Sequence, residues 1–106
     1  MKFKSLFLAH VPDAEPEEHQ AELETELYKL FVRLVKNQQE ALDVINNVVD
    51  QEGIQSIALC PGFSHEEVAE ISHTAGPDVG VTVARGDGKS SMIAKETMER
   101  AGWFEE

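Results

Sequence analysis

The sequence predicts an α/β fold: a small, mainly parallel four-stranded sheet with helices on both faces. Three observations lead there. Runs of β-branched and apolar residues alternate with stretches of helical periodicity, the pattern of successive βα units. Helix caps and glycine stops fall between the runs, where such units need them. No internal repeat, low-complexity tract or linker interrupts the 106 residues. Residues 1–106 are therefore expected to form one domain, at a length that buries roughly two-thirds of the unfolded chain's surface.

The first strand is expected over Phe3–Val11. Its lysine-led apolar run has the look of a signal peptide, but the run is short and Pro12-Asp13 stands where cleavage would fall, so a strand is the better reading. Pro16 and the acids Glu17, Glu18, Glu22 and Glu24 favour a short helix next, because proline and negative charge both suit a helix N-terminus. Leu27–Lys36 is read as the second strand. Lys29 and Arg33 alternate there with Leu30, Val32 and Leu34, which predicts solvated bases and a buried leucine–valine face. The competing reading is one long helix from Glu17 to Lys36, since Leu23, Leu27, Leu30 and Leu34 also fit helical spacing.

Asn37 and Glu40 open a helix in the manner of a capping box. Ala41, Leu42, Ile45, Val48 and Val49 give it one apolar stripe, and Gly53 ends it. Ile54–Cys60 is the third strand, and Pro61-Gly62-Phe63 turns the chain into a helix capped by Ser64 and Glu67 and running to about Ala75. Val79–Ala84 is the fourth strand. A last helix runs from Ser90 to Ala101 and closes at Gly102. Helical crossovers between the strands imply the order 2-1-3-4, as in half of a flavodoxin-like doubly wound fold or a piece of a β/α barrel. Such a sheet has two bare edges, which a second copy would cover; a homo-oligomer is expected.

Charge and cysteine content narrow the function. Twenty acids against nine bases leave a net charge of −11, a field that repels phosphates and anionic lipids. Neither nucleic acid nor membrane is an expected partner. The single cysteine, Cys60, cannot form an internal disulfide, which suits the cytoplasm. The acids at Glu15, Glu17, Glu18, Glu22, Glu24 and Glu26 read as a solvated face.

The runs Pro16-Glu17-Glu18-His19, Glu40-Ala41 and Gly53 through Ser64 resemble a family of small bacterial and archaeal α/β proteins catalogued as a domain of unknown function. In that family a Cys-Gly-Gly-Phe-Gly-like turn closes a strand, similar to Cys60-Pro61-Gly62-Phe63-Ser64, and a strand like Val79–Val83 follows. The likeness spans about residues 3 to 87. The chain departs from it at Pro61 and Ser64, and its tail from Gly88 to Glu106 is longer. The resemblance implies a strand at Leu27–Lys36 and brings no activity, cofactor or catalytic residue.

Ligands of open parallel sheets sit beyond the carboxyl ends of the strands. His10, Lys36, Cys60 and Arg85 fall there, together with the turns holding Gly62, Phe63, Ser64 and Gly86. Two helix N-termini and Arg85 would attract a small carboxylate or phosphate, although strand ends need such turn residues in any case. Gly86-Asp87-Gly88-Lys89-Ser90 lacks the first glycine of a phosphate-binding loop, because Val83 occupies its place. His10-Val11-Pro12-Asp13 likewise lacks a dinucleotide-binding glycine pattern. His10, His19, His65, His73, Asp13 and Cys60 show no metal-ligand spacing.

Three functional readings follow. The first is a homo-oligomeric protein binding a small anionic metabolite at His10, Cys60, Gly62, Phe63, Ser64, Arg85 and Gly86. The second is an enzyme using Cys60 as nucleophile with His10 and Arg85. The third is an interaction module acting through a sheet edge or an apolar patch of Trp103, Phe104, Met92, Met98 and Phe31.

Overall fold

The structure is a computed structural model and describes residues 1–104; Glu105 and Glu106, the end of the expected tail, lie outside the described residues. Along the chain stand β1 (Phe3–His10), β2 (Gln20–Glu24), β3 (Tyr28–Val35), α1 (Gln38–Val44), a π-helical segment (Ile45–Val49), α2 (Asp50–Glu52), β4 (Ser56–Leu59), α3 (His65–Ala75), β5 (Gly80–Val83) and α4 (Gly88–Arg100). The strands form one sheet in the order β2-β3-β1-β4-β5. β3, β1, β4 and β5 run parallel, and β2 pairs antiparallel with β3 at the edge.

The expected sheet of four strands, ordered 2-1-3-4, is corrected to five: those four stand as β3-β1-β4-β5, and the segment expected as a short helix adds β2 at the edge. Its residues alternate with period two rather than helically. Glu22 and Glu24 point to the side of Arg33, Lys29 and Lys2, where they form ion pairs, and Ala21 and Leu23 point the other way. These pairs draw the acidic segment onto β3, so Glu15, Glu22 and Glu24 are not simply a solvated face.

The parity of β3 is also the reverse of the expected one. Phe31, Arg33 and Val35 are buried, on the side where α1 and α3 pack, while Leu30, Val32 and Leu34 lie on the opposite side. A one-residue change of phase moves every side chain of a strand to the other face. Arg33 holds its buried place by donating to the Val32 carbonyl and to Glu22, with its guanidinium 5.8 Å from the Phe31 ring centroid. A buried guanidinium needs such partners.

The core is one cluster: Leu6, Leu8, Ile57 and Leu59 from the central strands, Phe31 and Val35 from β3, and Ala41, Ile45, Val49, Phe63 and Ile71 from the helical layer. Asn37 caps α1 by accepting from the Glu40 N–H at 2.8 Å, and Ser64 and Glu67 complete a capping box on α3. Gly53, at φ 73°, ends the helical stretch in a conformation that favours glycine. After α4, Gly102 at φ 86° lets its own N–H and that of Trp103 reach the Glu99 and Met98 carbonyls, a Schellman closure.

Helices on both faces are not what forms. α1 and α3 touch each other on one face, and no residue of α4 is buried. The chain between β1 and β3, which would have supplied a helix for the second face, is spent on β2. The molecule measures 43 × 26 × 26 Å with a radius of gyration of 14.2 Å, against about 13 Å for a compact chain of this length.

Candidate functional site

The strand ends do gather the expected residues. The His10 backbone N–H donates to Cys60 Sγ at 3.2 Å, and the His10 ring lies 5.8 Å from that of Phe63. Gly62 sits against both: a methyl group placed there would stand 3.5 Å from Cys60 Sγ and 3.5 Å from His10 Cβ. Arg85 reaches across from the end of β5 to donate to the Pro61 carbonyl at 3.2 Å and the Phe63 carbonyl at 2.9 Å. Ser64 turns to its cap on α3, and Gly86 lies beside Ser91.

These contacts are mostly structural in kind. His10 Nε2 donates to the Lys36 carbonyl at 2.7 Å, which ties the ends of β1 and β3 and orients the ring. Arg85 holds the turn after β4 by its backbone oxygens. No hydrogen bond joins the His10 ring to Cys60 Sγ among the described residues, so a thiol with an adjacent base is not assembled. Arg85 nevertheless has no carboxylate partner among the described residues.

Lys36 belongs to a second arrangement. Its ammonium donates to Glu40 at 2.8 Å and Glu15 at 3.3 Å, and its backbone N–H donates to Glu40 at 2.8 Å. Those bonds to Lys36 hold the Glu40 carboxyl below the usual carboxylate range, and hydrogen bonds to Glu40 and Glu15 raise the Lys36 ammonium above the usual lysine value. The Glu40 contribution is therefore complete above the unfolded carboxyl pKa and lost as pH falls through the lowered folded one. The Lys36 contribution is complete below the unfolded lysine value and lost as pH rises through the raised folded one. Glu40→Gln should flatten the loss of stability as pH falls below the ordinary carboxylate range, measured as urea midpoints. An acid limb as steep as that of the parent chain would count against this role.

A depression of about 700 Å³ lies between the 15–20 segment and the helix bearing Glu40, Asp43 and Glu52, with Arg33 at one wall. Its acidic rim suits a cation rather than the expected anion, yet no group of three His, Cys, Asp or Glu residues among the described residues is placed to hold a metal ion. No helix among them is long and apolar enough to cross a membrane.

The feature sequence reasoning missed is the second face of the sheet. In register it carries Ala21 and Leu23 from β2, Tyr28, Leu30, Val32 and Leu34 from β3, and Ser5, Phe7 and Ala9 from β1, with the Ser5 and Tyr28 hydroxyls bonded to each other. Ser56, Ala58, Gly80 and Thr82 continue it across β4 and β5, and no Asp, Glu, Lys or Arg of these strands points to this side. Leu23 is 68% exposed and Phe3, on the same side, 50%. Parallel sheets are almost always covered on both faces. The signal was available: Phe31 and Val35 share the parity of Arg33, which argued against a solvated basic side.

Phe31, placed with the C-terminal aromatics by sequence, is instead buried in the core at 1% exposure, because its side of β3 faces the helices. Met92 and Phe104 do remain exposed. No curated protein and no solved structure matches the chain. A family model matches residues 3–99, beyond the 3–87 of the sequence resemblance and through all but the last residue of α4. The chain belongs to that family, DUF6506, a family of unknown function.

Proposed function

We propose that the chain is a self-associating module whose uncovered sheet face docks on a second copy. The observation that carries this reading is the uncharged, apolar face on a chain of net charge −11. Like-charged copies repel, so they approach best through a surface without charge. Apolar side chains left exposed at Leu23 and Phe3 and half-buried at Phe7, Leu30, Val32 and Leu34 gain by being covered. The lone thiol of Cys60 supports placing the protein in the reducing cytoplasm. Sedimentation equilibrium is expected to give a multiple of the chain mass. A species of single-chain mass up to about 100 μM, above the micromolar range of the weaker standard interfaces, would sink the reading.

A second reading rests on Arg85. Its cation lacks a carboxylate partner and stands by the turn leading into α3, so a small anionic metabolite at Arg85, Phe63 and Ser64, flanked by His10, Cys60, Gly62 and Gly86, is the ligand site we propose. Inorganic phosphate in the millimolar range should raise the melting temperature of the parent chain and not of Arg85→Gln. Equal shifts in both would remove the site. Catalysis by Cys60, His10 and Arg85 has no geometric support, since the His10 ring and the Arg85 guanidinium both hold backbone carbonyls.

A further inference from the structure

Resting on the self-association reading, we infer that α4 of each copy covers the open sheet face of the other, in a reciprocal exchange of C-terminal helices. Two unpartnered surfaces on one chain point to this. The first is the apolar sheet face. The second is α4, which has no buried residue although it carries a stripe. At 100° per residue Ile93, Ala94, Thr97, Met98 and Ala101 fall on one side and Lys95, Glu96 and Glu99 on the other, while Lys89 and Arg100 flank Ile93 and Arg100 donates to Thr97 Oγ1. Ala94 and Ala101 keep the stripe low, so the helix axis can approach a flat sheet closely. Ile93, at the edge of the stripe, is 57% exposed.

Charge agrees with shape. Residues 88–101 hold three bases, Lys89, Lys95 and Arg100, against two acids, Glu96 and Glu99. They form a basic-leaning element on a chain that is otherwise strongly acidic. A shallow depression of about 240 Å³ on the open face is rimmed by Glu18 beside Ala21, Val32 and Leu34, an acid where a basic helix would lie. The helix of 13 residues is about 20 Å long, and an eight-residue strand about 26 Å, so one α4 spans most of the face.

The connection favours exchange over folding back. Arg85 is anchored to the Pro61 and Phe63 carbonyls, and only Gly86 and Asp87 separate it from α4. The helix leaves from β5, the edge farthest from the apolar surface of β2 and β3. Reciprocity doubles the contact, which carries the total toward the roughly 1,600 Å² of a standard interface. The edge strands stay clear of the contact, so β2 and β5 need not pair between copies.

The test uses the unaltered chain. Chains with labelled isoleucine and methionine methyls are mixed with chains labelled at leucine and valine, and cross-peaks between the two populations are recorded by NMR. Peaks from Ile93 and Met98 to Val32 and Leu34 across the two populations are the expected result. The same peaks found only within one uniformly labelled chain would mean that α4 folds back, and would overturn the exchange. An assembly without α4–sheet peaks would overturn it while leaving self-association standing. A species of single-chain mass would overturn both.

Discussion

Replacing Phe31 with alanine is expected to lower stability by about 3–5 kcal/mol. The ring is 1% exposed and paired in register with Leu6, which is fully buried. Its removal loses the transfer free energy of the largest class of core side chain and leaves a cavity that a sheet cannot close, because strand spacing is fixed by hydrogen bonds. Two cations add to the loss: Lys29 Nζ stands 4.9 Å from the ring centroid and the Arg33 guanidinium 5.8 Å. Without the ring, Arg33 keeps Glu22 and the Val32 carbonyl but loses the surface over which its charge is tolerated. A chain of this size commonly has only about 5–15 kcal/mol in total. The melting temperature should therefore fall by on the order of 15 °C. Phe31→Leu keeps apolar contact without the ring faces and should cost under about 1.5 kcal/mol. Urea titration of the three chains measures both steps, and a loss below about 1 kcal/mol for alanine would mean that the ring is not part of the core.

Much of this fold is legible without coordinates. The strands at Phe3–His10, Ser56–Leu59 and Gly80–Val83 announce themselves as apolar runs bounded by turns, and the caps at Asn37 and Ser64 act as their side chains suggest. What misleads is charge. Glutamates near a proline suit a helix N-terminus, but Glu22 and Glu24 have stronger local partners in Arg33, Lys29 and Lys2, and these lie on other strands. Helix propensity is a weak prior against tertiary pairing. The same partners pull Arg33 inward and so reverse the expected phase of β3. A sequence window cannot register this, because the deciding contacts join residues eleven to twenty-two apart. The site fared likewise. The positions of His10, Cys60 and Arg85 at the strand ends follow from the βα pattern, whereas the carbonyls that occupy His10 and Arg85 depend on how neighbouring strand ends meet.

The two faces of β3 separate folding from assembly, and one substitution placed on each side reads the difference. Val35 is fully buried beneath the helices, whereas Val32 stands in the open face between Ala21 and Phe7. Val35→Asp buries a carboxylate with no partner, a cost of several kcal/mol that consumes most of the stability such a chain possesses. It is expected to abolish the cooperative unfolding transition. Val32→Asp places the same group where water still reaches it, so the isolated chain should lose no more than about 1 kcal/mol. In an assembly the same carboxylate is stripped of water, and a two-fold arrangement repeats the cost on each copy. The dissociation constant should rise about 100-fold or more, and the sedimenting mass should fall to that of one chain while circular dichroism stays that of the parent. An assembled Val32→Asp would show that copies meet elsewhere. A folded Val35→Asp would show that the phase of β3 is the one first read from the sequence, with Lys29 and Arg33 toward water. The pair of outcomes thus tests the inverted phase and the use of the face it exposes with separate readouts, so either can fail alone.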